Sequence, residues 1–221
     1  MNHAIIFDVD GVLLELTRAE EELFFSAFAT RMDATTLSRD WNSYRIRNDE
    51  EIVAEIVERQ GMPASEAAVI THDYLAALEQ ALKRDLKSEP IAGAAQLLKS
   101  FAPIARLGIA TANFLPAAEM RLKQAQMWEP VRGLAFGAEG GGSKSAILAR
   151  AIDATGLPPQ RILFIGDNVN DVRAGLDNKT QFIGFSNSPQ RLSQLREAGA
   201  VNLCGAHNLT KKLIRQLLSL S

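Results

Sequence analysis

The sequence predicts an α/β fold: a Rossmann-like, mainly parallel sheet flanked by helices, with a helical domain inserted after the first strand. Three observations carry this. Short runs of apolar residues without polar alternation recur along the chain, as expected of strands covered on both faces. Helical patterns separate them, and strand–helix alternation builds parallel sheets. Between residues 17 and 88 the alternation stops and only helical patterns occur.

The first apolar run covers 4–9 and ends in Asp8-Val9-Asp10-Gly11. Thr17-Arg18-Ala19-Glu20 then reads as a capping box, opening a helix with Leu23, Phe24, Ala27 and Phe28 on one face. Asn48 caps a second helix whose first turn, Asp49-Glu50-Glu51, suits a positive helix N-terminus. Gly61 ends that helix and Pro63 blocks its continuation. A third long helical pattern spans 65–84, and 37–45 is a candidate fourth. The expected organisation is a core domain of residues 1–15 and 89–221 and a helical domain of 16–88, with hinges at 14–16 and 88–90. Further strands are expected at 104–110, 133–136, 161–165 and 181–185, and helices at 92–102, 116–125, 145–154, 171–176 and 190–198.

Of the 221 residues, 47% are hydrophobic and 23% charged, which excludes a disordered, collagenous or low-complexity chain. Lys plus Arg number 24 against 26 Asp plus Glu, so no basic excess drives nucleic-acid or acidic-membrane binding. Without an apolar stretch of bilayer length, no membrane span is expected. The N-terminus has no positive region and its apolar run breaks at Asp8, which predicts no signal peptide and a cytoplasmic location. The single cysteine, Cys204, fits a reducing compartment and reads as a small buried apolar residue.

Chemistry concentrates at strand ends, where ligands bind in open parallel sheets. Asp8 and Asp10 end the first strand; Gly166-Asp167-Asn168-Val169-Asn170-Asp171 ends the fourth. Each alone also reads as a polar turn, with Asp171 as a helix cap. Four converging carboxylates repel unless a cation or protons compensate, and an all-oxygen set suits Mg²⁺ with a substrate phosphate. The second strand ends in Ala110-Thr111-Ala112-Asn113, and the third is followed by a glycine-rich loop before Lys144. A lysine there can hold a phosphate as a point charge or simply be a solvated surface residue. A nucleotide P-loop is excluded, because Ser143 separates Gly142 from Lys144. His3, His72 and His207 have no metal-ligand spacing; Met127 and Trp128 read as core, and Lys211-Lys212 as the polar face of a C-terminal helix.

Phe7-Asp8-Val9-Asp10-Gly11-Val12, Thr111, Lys144 and Gly166-Asp167 with Asp171, in this order over the whole chain, resemble the haloacid dehalogenase-like superfamily. The insert resembles its C1 cap, as in phosphoglycolate phosphatase-like and β-phosphoglucomutase-like members. Three features depart from the pattern: Ala112 between Thr111 and Asn113, the run Gly140-Gly141-Gly142, and Ser145 after the lysine. The resemblance implies a Mg²⁺-dependent phosphatase acting on a small phosphorylated metabolite, as a monomer or homodimer. It implies Asp8 as nucleophile forming an aspartyl-phosphate and Asp10 as general acid, then base. Mg²⁺ would lie among Asp8, the main-chain carbonyl of Asp10, Asp167 and a phosphoryl oxygen, with Asp171 in support, directly or through water. Thr111, Lys144 and groups at Gly11, Ala112 and Asn113 would hold the phosphoryl oxygens. Asp10 disfavours a dehalogenase, whose halide leaves without a proton, and a phosphonatase. A phosphomutase keeps every core residue and differs only in the cap; a weakly active phosphate-binding or regulatory protein of this fold is a further alternative, against which the intact Asp8, Asp10, Lys144, Asp167 and Asp171 argue. The loop Ser43-Tyr44-Arg45-Ile46-Arg47-Asn48-Asp49 resembles the specificity loop of C1 caps; Arg45, Arg47 and Asn48 are candidates to contact the leaving group, or the arginines pair with Asp49, Glu50 and Glu51.

Overall fold

The computed structural model describes residues 1–219. Six strands form one sheet, β1 (Ala4–Phe7), β2 (Arg106–Ala110), β3 (Ala135–Phe136), β4 (Ile162–Gly166), β5 (Gln181–Phe185) and β6 (Asn202–Cys204), in the order β3-β2-β1-β4-β5-β6. Every pairing is parallel. The five expected strands are present. The sixth is an addition: three residues between two helices leave too little pattern to be read as a strand.

Both faces of the sheet are covered, which is why its strands carry no polar alternation. Ile5 and Phe7 of β1 pack with Leu107, Ile109, Leu163 and Ile165 beneath α4 (Ala94–Phe101), α5 (Leu115–Gln124) and α9 (His207–Leu217). Ala4 and Ile6 face the other way, with Phe164 and Phe182, onto α6 (Lys144–Thr155), α7 (Val169–Asp177) and α8 (Pro189–Glu197). Met127, Trp128 and Cys204 belong to the first of these cores, as their apolar surroundings in sequence suggested.

Between β1 and α4 lie α1 (Arg18–Ser26), α2 (Asp49–Arg59) and α3 (Glu66–Arg84). The capping box is formed: the Thr17 side chain accepts from the Glu20 amide, and the Glu20 carboxylate accepts from the Thr17 amide. Asn48 caps α2 by accepting from the Glu51 amide at 2.8 Å. The candidate helix at 37–45 does not form. A 3₁₀ turn, Trp41–Ser43, stands there instead, and another, Ala34–Thr36, precedes it. Asp33 and Asp40 accept from amides two residues on, giving the backbone an alternative to helical bonding.

Phe24, Phe25, Phe28, Ile52, Ile56, Ile70, Tyr74 and Leu78 make a third apolar cluster, which continues into Phe114, Ala117 and Ala138 at the sheet's carboxyl edge. The two chain crossings pair with each other: Glu15 donates its amide to the Glu89 carbonyl, and Leu14 bridges to Pro90. No helix of the described residues is long and apolar enough to cross a membrane.

Candidate active site

The chain runs from β1 outward to β2 and β3, then returns to the other side of β1 for β4. The crevice at such a reversal, beyond the strands' carboxyl ends, is where open α/β sheets bind ligands. Asp8 directly follows β1, Thr111 follows β2, Asp167 follows β4, and Lys144 opens α6. Together with Asp10, Gly11, Ala112, Asn113, Arg47, Asn48 and Asp171, they line a cavity of about 270 Å³ roofed by α1–α3.

Asp8 is buried, and its Oδ1 receives the Val9 amide at 2.7 Å and Lys144 Nζ at 2.7 Å. Lys144, equally buried, also reaches Asp171 Oδ1 at 3.1 Å. Burial pushes the Asp8 carboxyl well above the usual range; Lys144 works against that, while Asp171 and Asp167 add to it. Burial also opposes the charge on Lys144, but Asp171 and Asp8 more than offset it and its pKa rises. Burial, then Asp171, push Asp167 up to about 7, with Arg191, Lys144 and Arg47 opposing.

One oxygen each from Asp8, Asp167 and Asp171 lies within 4.8 Å of the others. Carboxylates this close and this desolvated are short of positive charge, and three hard oxygen donors suit a divalent cation such as Mg²⁺. Asp171 is the most committed of them. Its Oδ2 accepts from the amides of Asp167 and Asn168 at 3.2 and 3.0 Å, so it fixes the loop that carries Asp167. Asn168, not Asp171, is the N-cap of α7.

Two glycines make the approach of these acids possible. Gly11 has φ +75°, and a Cβ there would lie 2.4 Å from the Asp167 carboxyl carbon. At Gly166 a Cβ would lie 2.3 Å from that of Asp171.

Thr111 is buried; its hydroxyl donates to Asn113 Oδ1 at 3.0 Å and accepts from the Asn113 amide. The Ala112 carbonyl accepts the Asp49 amide at 2.9 Å, so the second strand's loop also seats α2. Asn48 reaches across by donating from Nδ2 to the Gly142 carbonyl at 2.5 Å.

The glycine-rich loop before Lys144 is bound by α2. Gly140, Gly141 and Gly142 all have positive φ. The amides of Gly141 and Gly142 donate to Glu50 and Glu51 of α2 at 2.6 and 2.9 Å. These acids therefore bind the loop rather than the arginines beside them, and the amides of Gly141 and Gly142 are not open to a phosphate.

Arg45 stands outside the cavity. Its side chain is 63% exposed and pairs with Glu55 and Glu58 of α2. Arg47 lines the cavity and forms no hydrogen bond or ion pair among the described residues.

Sequence reasoning passed over four residues here. Arg191 of α8 lines the cavity from the sheet side. Asp49 is buried, accepts from the Phe114 amide at 2.9 Å, and is pushed up to about 7, chiefly by burial. Tyr74 lines the cavity wall, its hydroxyl pushed up by burial and by Asp49. Arg121, on α5, is buried and its Nη2 contacts Asp10 Oδ1 at 2.7 Å. A signal for Arg121 existed: its position among Ala117, Ala118 and Leu122 puts it on the helix's buried face. His207 is structural, buried with Nε2 donating to the Val12 carbonyl at 2.8 Å and its ring stacked on Phe185.

A model of the haloacid dehalogenase-like hydrolase family matches residues 3–177. Among solved structures, the chain is similar to a predicted phosphatase from Clostridium acetobutylicum, with TM-score 0.70, 18% identity, and 98% of this chain and 99% of that one covered. It is similar to CbbY from Rhodobacter sphaeroides in complex with phosphate, with TM-score 0.71, 21% identity, and 93% and 95% covered. A mutant of CbbY in complex with xylulose-(1,5)bisphosphate gives the same figures, TM-score 0.71, 21% identity, 93% and 95% covered. No curated protein matches.

Proposed function

This chain belongs to the haloacid dehalogenase-like hydrolase family, and we propose that it is a phosphomonoester hydrolase acting on a small phosphorylated metabolite, with Asp8 as nucleophile. The observation that carries the reading is the buried Asp8 carboxylate, held by Lys144 at 2.7 Å and facing the same cavity as Asp10. Lys144 favours the ionised form against that burial, and a carboxylate, once ionised, is a ready nucleophile that needs no separate base.

In the first step an Asp8 oxygen bonds to phosphorus and the ester P–O bond breaks. The bonding pair goes to the leaving oxygen, which takes a proton from Asp10. In the second step water attacks the aspartyl-phosphate and gives its proton back to Asp10, and Asp8 leaves as a carboxylate. Lys144 and Thr111 hold the phosphoryl oxygens as charge redistributes. Asp8, Asp167 and the main-chain carbonyl of Asp10 would hold Mg²⁺, with Asp171 bracing the Asp167 loop. When bound, that ion offsets the repulsion between an anionic nucleophile and an anionic substrate.

Residues 16–88 serve in this reading as a cap. They roof the cavity, and a space this small holds a metabolite rather than a polymer. Arg47 from the cap and Arg191 from the sheet side, both without a partner among the described residues, offer guanidinium forks to an additional anion on the leaving group. The bisphosphate carried by the CbbY mutant is consistent with such a substrate.

The test is phosphate release from a panel of sugar phosphates, phosphoglycolate and nucleotides, with and without EDTA and added Mg²⁺. Mg²⁺-dependent release from small phosphoesters is the expected result. Full activity without metal contradicts the carboxylate reading, and conversion to an isomeric phosphate without release makes the protein a mutase.

A further inference from the structure

Arg121 gathers three points of the chain on one buried guanidinium. Nη2 contacts Asp10 Oδ1 at 2.7 Å and donates to the Glu15 carbonyl at 3.0 Å, while Nε donates to Glu20 Oε1 at 2.6 Å. Asp10 lies at the end of β1, Glu15 at the crossing into residues 16–88, and Glu20 in the first turn of α1. Arg121 and Glu20 side chains are 3% and 2% exposed. Glu20 is itself fixed, because Oε2 accepts from the Thr17 amide and hydroxyl.

Asp10 is held by one oxygen only. Oδ1 is buried and meets Arg121 Nη2 in an ion pair without hydrogen-bond geometry; Oδ2 takes no hydrogen bond among the described residues, and the side chain keeps 21% exposure in the cavity wall. A carboxyl anchored by one oxygen has a fixed plane and a fixed direction for the other. A bare ion pair would not need the remaining contacts, which tie that direction to the crossing and to α1.

We propose that Arg121 is a positioning residue for proton transfer: it aims the free oxygen of Asp10 at the leaving-group oxygen, and it does so only while α1 is seated against α5. The inference rests on the phosphatase reading above. Rotation of residues 16–88 about the crossing withdraws Glu20 and the Glu15 carbonyl from Arg121 and loosens Asp10. Leaving-group protonation is thereby confined to the closed cavity, from which water is excluded.

A merely structural arginine and a positioning one differ in leaving-group dependence. A p-nitrophenolate leaves without help, whereas the more basic p-methoxyphenolate needs a proton. kcat/KM, which reports phosphoryl transfer to Asp8, is measured for p-nitrophenyl and p-methoxyphenyl phosphate with Arg121→Gln, Arg121→Lys and the Asp10→Asn reference. The Arg121→Gln/Glu20→Gln double variant removes the stranded Glu20 charge and covers any failure of the single variant to fold. For Arg121→Gln and the double variant, the expected result is a loss of about 10²-fold on the methoxy ester, within the range for general acid catalysis. Their loss on the nitro ester stays within about threefold, matching the pattern of Asp10→Asn, and Arg121→Lys recovers part of the difference. Equal losses on both esters, or none, overturn the proposal while leaving the phosphatase reading intact. Wild-type protein that releases phosphate from neither ester removes the phosphatase reading itself.

Discussion

A carboxylate that attacks phosphorus must be ionised, and burial works against it. At Asp8 the Lys144 ammonium at 2.7 Å opposes burial and the two neighbouring aspartates. Asp8→Asn keeps the shape and a hydrogen-bonding oxygen but cannot form an acyl phosphate by the same route. We expect phosphate release to fall to background while circular dichroism and thermal unfolding stay close to wild type; release at a near wild-type rate removes Asp8 from the mechanism. The two arginines of the loop before α2 separate as sharply. Arg47 lines the cavity without a partner, whereas Arg45 is engaged on the surface by Glu55 and Glu58. Arg47→Ala is expected to lower kcat/KM on the best substrate of the panel by about tenfold or more, the value of one charge-assisted contact, and to leave p-nitrophenyl phosphate nearly untouched. Arg45→Ala should change neither, since exposed ion pairs contribute little. A loss with Arg45→Ala that equals the Arg47→Ala loss would reassign the loop.

At the scale of elements, the turn after β1 is a close-packed point of the site. Gly11 takes φ +75° and leaves no room for a methyl group beside Asp167. Gly11→Ala adds backbone strain of about 1–3 kcal/mol and pushes the Asp167 carboxyl away from Asp8. The expected outcome is a lower urea midpoint together with loss of the stabilisation that Mg²⁺ gives the wild type. A variant as stable as wild type, with an unchanged Mg²⁺ response, would show that the acids need not approach so closely. The N-terminus of α2 is a second such element. Asn48, Asp49, Glu50 and Glu51 all bond across to the sheet's carboxyl-edge loops, so one helix end serves as the dock for residues 16–88.

For the molecule as a whole, that dock buries a carboxyl between two halves of the structure. Asp49 is pushed up to about 7, whereas an unfolded aspartate titrates near 3.9. Between those values the folded state holds a proton that the unfolded chain has released, so this group's contribution to stability declines as pH rises from about 4 to 7. Asp49→Asn keeps the acceptor for the Phe114 amide and removes the titration. Its urea midpoint should fall less than that of wild type between pH 5 and 7.5, by up to ~1.4 kcal/mol of stability per pH unit for one proton. Parallel pH profiles for the two proteins would place the Asp49 proton elsewhere. Asp8 and Asp167, also raised, give both proteins a slope of the same sign.

The sequence alone determined what depends on local order. Both-face burial made β1, β2, β4 and β5 legible as unbroken apolar runs. Thr17 and Asn48 announced their helices because a cap bonds within three residues of itself. The order of Asp8, Thr111, Lys144, Asp167 and Asp171 at successive strand ends located the site, since parallel strands bring their carboxyl ends to one edge. Tertiary structure decided the pairings that no local pattern encodes. Arg121 meets Glu20 across 101 positions, and Asn48 meets Gly142 across 94. Glu50 and Glu51 had arginines three to six residues away yet bond to a glycine loop about ninety residues on. Arg45 and Arg47, nearly adjacent in sequence, face opposite ways. In each case the choice of partner follows from which surfaces are buried when α1–α3 close over the sheet. That closure is set by the packing of Phe24, Tyr74 and Phe114, residues of three separate segments that become neighbours only in the folded chain.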